Sequence, residues 1–233
     1  MSFDFYVFWE ICIFIIPIVM VFSLLFSAIL GSVAQHSSSG MQVMIFLSYL
    51  FALGVITHEL AHRLFCALFG VKVTETKFFR VARNKTAEGE YVSVGGYVNC
   101  AEIDSVSVAL LLGFAPLLIN GLLVAVLYYY GPVLATTDFY GIAIYLGISL
   151  ALGTRVSKED ALLWVEALRR HPGRGILEIV GLFLFGGVLY FLVGFIQIPL
   201  WGTLSILLGF LIIIILGTRF KSTSKNRVRL PGM

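Results

Sequence analysis

The amino-acid sequence predicts an all-α polytopic membrane protein with about six transmembrane helices and a small β-hairpin or sheet inserted after the second helix. Three observations support this fold class. Apolar residues make up 59% of the 233 positions and charged residues only 12%, with a mean hydropathy of +0.98, which exceeds what the surface of a soluble domain carries. Six apolar stretches approach the roughly 20 residues that a spanning helix needs. Finally, nearly all basic residues fall in alternate loops.

Six segments are predicted to cross the bilayer, and polar or turn-forming residues bound each of them. They are 8–33, 43–69, 106–130, 138–153, 175–196 and 199–218. The first has no preceding Lys or Arg and is longer than the apolar core of a cleavable signal, so we interpret it as a retained helix. The rest of the chain comprises a polar insertion at 71–104, an amphipathic connection at 156–172 and a basic tail at 219–233. These short connections predict a single membrane domain over 1–233.

The distribution of Lys and Arg predicts the orientation in the membrane. Of sixteen such residues, five lie in 71–104, five in 155–174 and five in the tail, whereas only Arg63 lies in a span. The opposite loops contain none, namely 34–42, 131–137 and 197–198. Because cytoplasmic loops collect positive charge, we expect a multi-pass protein of the cell membrane with both termini in the cytoplasm. The basic tail is interpreted as an anchor to anionic lipid, so the bilayer is an expected partner and nucleic acid is not.

The second span contains the residues that carry chemistry. His58, Glu59, His62 and Arg63 lie in an otherwise apolar helix, where unpaired ionisable groups cost several kcal/mol. Residues four apart share a helix face, so His58 and His62 can bind one zinc ion, with Glu59 beside them as general base for a zinc-activated water. The alternative is a polar cluster that packs helices. Cys66 continues the same face and is interpreted as a packing residue, with a role as ligand or modulator left open.

Two segments resemble the site-2 proteases, a family of intramembrane zinc metalloproteases. HELAHRLFCALFGVKV is similar to the family's metal-helix signature, and VSVGGYVNCAE, residues 92–102, resembles the Gly-Gly-Tyr-Val segment that follows it. The resemblance covers about 30 residues. It implies zinc-dependent hydrolysis of peptide bonds in or near the transmembrane segments of membrane-protein substrates. Oligomeric state and accessory subunits are not indicated.

A catalytic zinc usually has three protein ligands, so a further residue is required. The family's Leu-Asp-Gly sequence is absent, but Ser-Lys-Glu-Asp at 157–160 resembles a Ser-x-x-Asp pattern of some archaeal relatives, which implies that Asp160 is the third ligand. Ordinary helix capping also explains these residues, because a Ser followed by acidic residues suits a helix N-terminus. The alternatives that stay open are no third protein ligand, or one of Glu159, Glu166, Asp104 and His171.

Asn120 is a conspicuous polar residue of the third span. Its amide could stabilise the oxyanion or bind the substrate backbone, and the family often has an Asn shortly after a Pro here, although Pro116 and Asn120 are four apart rather than three. The alternative is a hydrogen bond between helices. We predict Asn120 as a catalytic residue beside Glu59.

The insertion at 71–104 is rich in Val, Tyr, Phe and Thr with Gly and Asn breaks, which predicts two or three short strands. A sheet edge there could bind an extended substrate by strand addition, or the insertion could be a plain hairpin. Three rival functions are considered. A CAAX-type membrane protease would take Glu166 as ligand, a non-catalytic scaffold or regulatory subunit would not need Glu59, and a transporter would place ionisable residues on several spans. Three cysteines, Cys12, Cys66 and Cys100, have no paired spacing, so no disulfide is predicted.

Overall fold

A computed structural model describes residues 5–36, 38–86 and 89–194, together with the separate positions 206, 208, 209 and 212. Within these residues the chain is mostly helical and has one two-stranded antiparallel sheet. The helices are α1 (Phe5–His36), α2 (Ser38–Leu50), α3 (Ala52–Phe69), α4 (Val106–Gly113), α5 (Ala115–Tyr129), α6 (Gly131–Leu134), α7 (Tyr140–Leu152), α8 (Lys158–Arg170) and α9 (Pro172–Gly194). The strands are β1 (Val73–Thr86) and β2 (Gly89–Cys100). The predicted helical class, with a two-stranded hairpin after α3, is therefore confirmed.

Two of the described helices are long and apolar enough to cross a membrane: α1, through Glu10–Ile29, and α3. A third is added if α4 and α5, which are separated only at Phe114, form one broken span. These helices correspond to the predicted spans 8–33, 43–69 and 106–130. Six transmembrane helices are not confirmed.

The remaining predicted spans have different outcomes. The span at 138–153 corresponds to α7, whose 13 residues rise about 20 Å, less than the roughly 30 Å of a bilayer core. The span at 175–196 falls on α9 and stays a prediction. The span at 199–218 lies almost wholly outside the described residues, as does the tail at 219–233.

The second predicted span is not one continuous helix, and this corrects the prediction for 43–69. The chain breaks at Phe51, between α2 and α3. Side chains of α7 satisfy the backbone groups at the break: the Tyr145 hydroxyl donates to the Leu50 carbonyl at 2.7 Å, and the Gly54 N–H donates to Ser149 Oγ at 2.9 Å. Such partners allow a helix to break among apolar residues, because no water is needed to solvate the backbone.

The chain divides into two compact units. The first contains α1, α2, α3 as far as Arg63, the hairpin as far as Asn99, and α5 to α7. In this unit α1 packs against α2, α5 and α7. The close packing includes Gly121 of α5, where an added Cβ would lie 3.1 Å from Ile16 of α1. Through these contacts α1 holds α2, which precedes α3 in the chain, together with α5 and α7, which follow it.

The second unit contains the end of α3 from Leu64, then α4, α8 and α9. Its core is a cluster of Val106 and Ala109 of α4 with Ala167 of α8, all nearly inaccessible to solvent. The α4 N-terminus is capped by Glu178 of α9, which accepts hydrogen bonds from the Ser107 N–H at 2.9 Å and from the Ser105 hydroxyl at 2.8 Å. The unit thereby fixes α8, the helix on which Asp160 lies.

Candidate metal centre

His58 and His62 lie one turn apart on α3 and face each other. Their Nε2 atoms are 3.2 Å apart, and their ring centroids are 4.9 Å apart. His62 is buried, and His58 is half-buried. The helix ends cleanly after them at Gly70, whose φ of 67° suits glycine and whose N–H donates to the Ala67 carbonyl. The predicted i, i+4 pairing of the two imidazoles is therefore present.

The orientation of the His58 ring is set by a backbone carbonyl. Its Nδ1 lies 2.9 Å from the carbonyl oxygen of Gly153, which can only accept, so Nδ1 carries the hydrogen and donates it. The Nε2 lone pair is then directed to the side where His62 lies. The other ring nitrogen of a metal-binding His is commonly held in this way, which fixes the tautomer that can bind a metal.

Gly54 and Gly153 approach each other closely, and this approach brings the Gly153 carbonyl to His58. An added Cβ on Gly54 of α3 would collide with the Ser149 carbonyl, and one on Gly153 would lie 2.8 Å from the Gly54 carbonyl carbon. The same Gly153 carbonyl accepts a hydrogen bond from Asn120 Nδ2 at 2.9 Å. Asn120 is fully buried. This bond is the hydrogen bond between helices that the sequence offered as the alternative interpretation of Asn120. A catalytic role for Asn120 stays a prediction.

Asp160 completes a group of three side chains that could hold a metal ion. His58, His62 and Asp160 each offer one ligand atom, and these atoms all lie within 4.8 Å of one another. Asp160 is buried, with 7% of its surface exposed. An added Cβ on Gly113 of α4 would lie 2.7 Å from the Asp160 carbonyl oxygen, so glycine at that position permits the approach of α4 to α8.

The three residues fit zinc in their chemistry, and the two histidines also fit it in their spacing. Two imidazoles and a carboxylate form the kind of donor set found in catalytic zinc sites, which keep a fourth position open. Bonds of about 2.0–2.1 Å in a tetrahedral arrangement separate two nitrogen ligands by about 3.3 Å, close to the 3.2 Å between the Nε2 atoms. The identity of the metal stays a prediction.

Glu59 follows His58 on α3, and its side chain lies against the hairpin. It is buried, with 6% of its surface exposed. A Cβ added to Gly96 of β2 would collide with the Glu59 side chain and would lie 2.6 Å from the Lys77 carbonyl oxygen of β1. Since Gly96 has no side chain, β2 can pass directly over the carboxylate-bearing side chain.

The hairpin is stabilised by side-chain contacts across its strands. The Tyr97 hydroxyl of β2 donates to Glu75 of β1 at 2.6 Å, and this bond lowers the pKa of that carboxyl. Lys77 forms an ion pair with Glu75 at 3.6 Å and lies over the Tyr97 ring. Arg63 of α3 lies over the Phe78 ring at 5.7 Å from its centroid, so the basic residue of the second span has an aromatic partner in β1.

The other candidates for the third ligand are not in the group. Among the described residues, the set that could hold a metal includes Asp160 but not Glu159, Glu166, Asp104 or His171. Glu166 is exposed and pairs with Arg170 at 3.6 Å, and Glu159 is also exposed. The Glu166 site of the CAAX-type alternative therefore has no support in this geometry.

Three contributions were not predicted from the sequence. They are the Gly153 carbonyl that orients His58, the Gly54 contact that brings it there, and the pairing of Cys66 with Cys100 at 2.8 Å between their sulfur atoms. A backbone carbonyl leaves no signal in the residue type. Gly54 and Gly153 lie in apolar runs. A glycine in such a run indicates close helix packing only once the residue packed against it is known.

Comparison with known proteins gives no match, whether to a protein-family model, to a curated protein or to a solved structure.

Proposed function

We propose that this protein is an intramembrane zinc metalloprotease that hydrolyses peptide bonds in or near transmembrane segments of other membrane proteins. The observation that carries the proposal is the group of His58, His62 and Asp160, with ligand atoms within 4.8 Å of one another and two of them on a helix apolar enough to cross a membrane. The likeness of residues 58–73 and 92–102 to the site-2 proteases supports the same chemistry.

In the proposed hydrolysis each of the following residues has a separate role. Zinc, when bound, would lower the pKa of a water molecule to about 7 and polarise the scissile carbonyl. The Glu59 carboxylate accepts a proton from the attacking water and returns it to the leaving amine. Asn120 and His58 share the Gly153 carbonyl, so Asn120 helps to hold that carbonyl where it orients the imidazole. A structural zinc site would not need Glu59, which favours an enzyme over a scaffold.

The hairpin is the proposed substrate-binding element. A substrate helix must unwind before hydrolysis, because its backbone is hydrogen-bonded to itself. An unwound segment can add to the edge of β1 or β2 as a further strand, with backbone hydrogen bonds replacing those of the helix. The close approach of Gly96 to the Glu59 side chain supports this role, because it brings β2 near the proposed general base. The multi-pass topology with cytoplasmic termini in the cell membrane belongs to the same proposal.

Glu59→Gln tests the proposal. It keeps the size and hydrogen bonding of the side chain but removes the proton acceptor, so cleavage should fall by about 10²–10⁴-fold while zinc content and folding are retained. The assay is turnover of a tagged single-span substrate in liposomes, with native protein and Glu59→Gln side by side. Equal cleavage by both would exclude Glu59 as general base. Zinc binding without cleavage of any substrate in a broad panel would favour the scaffold alternative.

A further inference from the structure

Two cysteines that are distant in sequence lie next to each other in space. Cys66 is on α3, and Cys100 is the last residue of β2; their Sγ atoms are 2.8 Å apart. Cys66 is fully buried, whereas Cys100 is half-buried. Both belong to the second compact unit. Their separation of 34 positions is why the sequence did not indicate the pair.

Backbone hydrogen bonds hold both cysteines in position. The Val71 N–H donates to the Cys66 carbonyl at 2.8 Å, which closes the end of α3. The Ala101 N–H donates to the Lys72 carbonyl, also at 2.8 Å, which joins the residue after Cys100 to the segment that follows α3. A disulfide bond is about 2.05 Å long, so small side-chain rotations would bring the sulfurs into bonding distance.

The two thiols differ in accessibility and acidity. The hydrogen bond from the Cys66 thiol lowers the pKa of the Cys100 thiol. Cys100 is also the more exposed of the two, and the thiolate is the reactive form of cysteine. Cys66 is enclosed and in contact with it. An accessible, acidified thiol next to a buried partner is the arrangement of a reactive and a resolving cysteine.

We propose that Cys66 and Cys100 are a redox modification site that forms a reversible intrachain disulfide by exchange with a small disulfide of the glutathione type. The Cys100 thiolate attacks one sulfur of that disulfide, which breaks its S–S bond and releases one thiolate. Cys66 then loses its proton to water and attacks the Cys100 sulfur, releasing the second thiolate. The two cysteines together lose two electrons and two protons, and the external disulfide is reduced to two thiols.

The bond would close a loop from 66 to 100 that contains both strands. It would join the end of β2 covalently to α3, one turn beyond the metal-binding His62. Formation of this bond does not depend on protease activity, so the two proposals are tested separately.

The test uses the full-length Cys12→Ala protein in detergent, because it leaves Cys66 and Cys100 as its only cysteines. The protein is equilibrated with mixtures of reduced and oxidised glutathione, quenched with acid, unfolded and alkylated with a maleimide. Intact mass should show two alkylated thiols under reducing conditions and none under oxidising conditions. Dithiothreitol should restore both, and a non-reducing gel should show a monomer.

Variants that lack one of the two cysteines distinguish formation of the Cys66–Cys100 disulfide from independent modification of an exposed thiol. Cys66→Ser should stop at one glutathione adduct on Cys100, whereas Cys100→Ser should leave Cys66 reduced because it is buried. If Cys12→Ala does not fold, peptide mapping of the oxidised native protein should show a linked Cys66–Cys100 pair and a reduced Cys12. Two thiols that persist at the most oxidising ratio, a lasting glutathione adduct in the Cys12→Ala protein, or disulfide-linked dimers would overturn the proposal.

Discussion

At the scale of single residues, the orientation of the His58 imidazole depends on a hydrogen bond to a distant backbone carbonyl as well as on the spacing of the two histidines. Spacing puts His58 and His62 on one helix face, but the Gly153 carbonyl decides that Nδ1 carries the hydrogen and that Nε2 can bind a metal. Asn120 donates to the same carbonyl. One backbone oxygen therefore links a predicted metal ligand to the buried amide of Asn120, for which the sequence predicted a catalytic role.

The ligand group predicts that zinc binding depends on three residues. His58→Ala or His62→Ala should abolish binding of about one zinc per chain, because two protein ligands rarely retain a catalytic ion. Asp160→Ala should also lower zinc content, since Asp160 is the third member of the group. The measurement is metal analysis of purified protein. Glu159→Ala is the matched control, because this neighbouring carboxylate is exposed and outside the group. Full zinc occupancy in both His variants would refute the site.

The contact between Gly96 and Glu59 predicts a sharp difference between adjacent glycines. Gly96→Ala should lower cleavage by at least tenfold, because a methyl group there collides with Glu59 and with the backbone of β1. Zinc content should stay unchanged. Gly95→Ala is the control, since nothing lies within 4 Å of an added Cβ at that position. Cleavage rates and zinc content of the two variants are compared, and equal rates would show that the contact is not needed.

At the scale of elements, the break between α2 and α3 is the main departure from the predicted helix pattern. Apolar composition over 43–69 predicts a continuous span, because nothing in it is a strong helix breaker except Gly54. The structure breaks the helix at Phe51 because Tyr145 and Ser149 of α7 provide hydrogen bonds for the freed backbone. The hairpin, in contrast, was predicted in the correct place and has two strands.

This break predicts that α7 hydroxyl groups stabilise α3, the helix that carries His58 and His62. Ser149→Ala removes the acceptor for the Gly54 N–H and the donor to the Phe51 carbonyl, and Ser149 is fully buried. The Gly54 N–H and the Phe51 carbonyl would keep only the 3.1 Å bond between them, so the loss of two hydrogen bonds to a buried hydroxyl should cost about 1–2 kcal/mol. We expect a lower Tm in detergent, measured by thermal unfolding. Thr137→Val is the control, because its hydroxyl makes only an exposed local bond to Leu134. An unchanged Tm for Ser149→Ala would show that the break does not depend on this hydroxyl.

At the scale of the whole molecule, the predicted topology can be tested directly. All loop Lys and Arg residues fall on one predicted side, so single cysteines introduced at Lys85, Arg170 and Arg227 should be labelled from the cytoplasm. Cysteines at Ser38 and Thr136 should be labelled from outside. The measurement is accessibility to a membrane-impermeant maleimide in intact cells and inverted vesicles. Labelling of positions 38 and 85 from the same side would refute the six-span arrangement.

Composition and spacing predicted the helical class that the structure confirms. The apolar runs predicted a helical membrane protein, the Val- and Tyr-rich insertion predicted the hairpin, and the i, i+4 histidines predicted a metal-binding face. These features are local, because helix periodicity and strand propensity act over a few residues. Asp160 was also placed in the ligand set, but its selection over Glu159 came from a family resemblance.

Tertiary structure alone decided the features that join distant parts of the chain. The Gly153 carbonyl reaches His58 across 95 positions, Gly96 passes over Glu59, and Cys66 meets Cys100. Each depends on a backbone atom, on the absence of a side chain or on a long-range pairing, none of which produces a periodic signal in the sequence. The sequence by itself determined which chemical groups are present, and packing determined which of them meet, because contact between distant residues is set by how helices and strands approach one another.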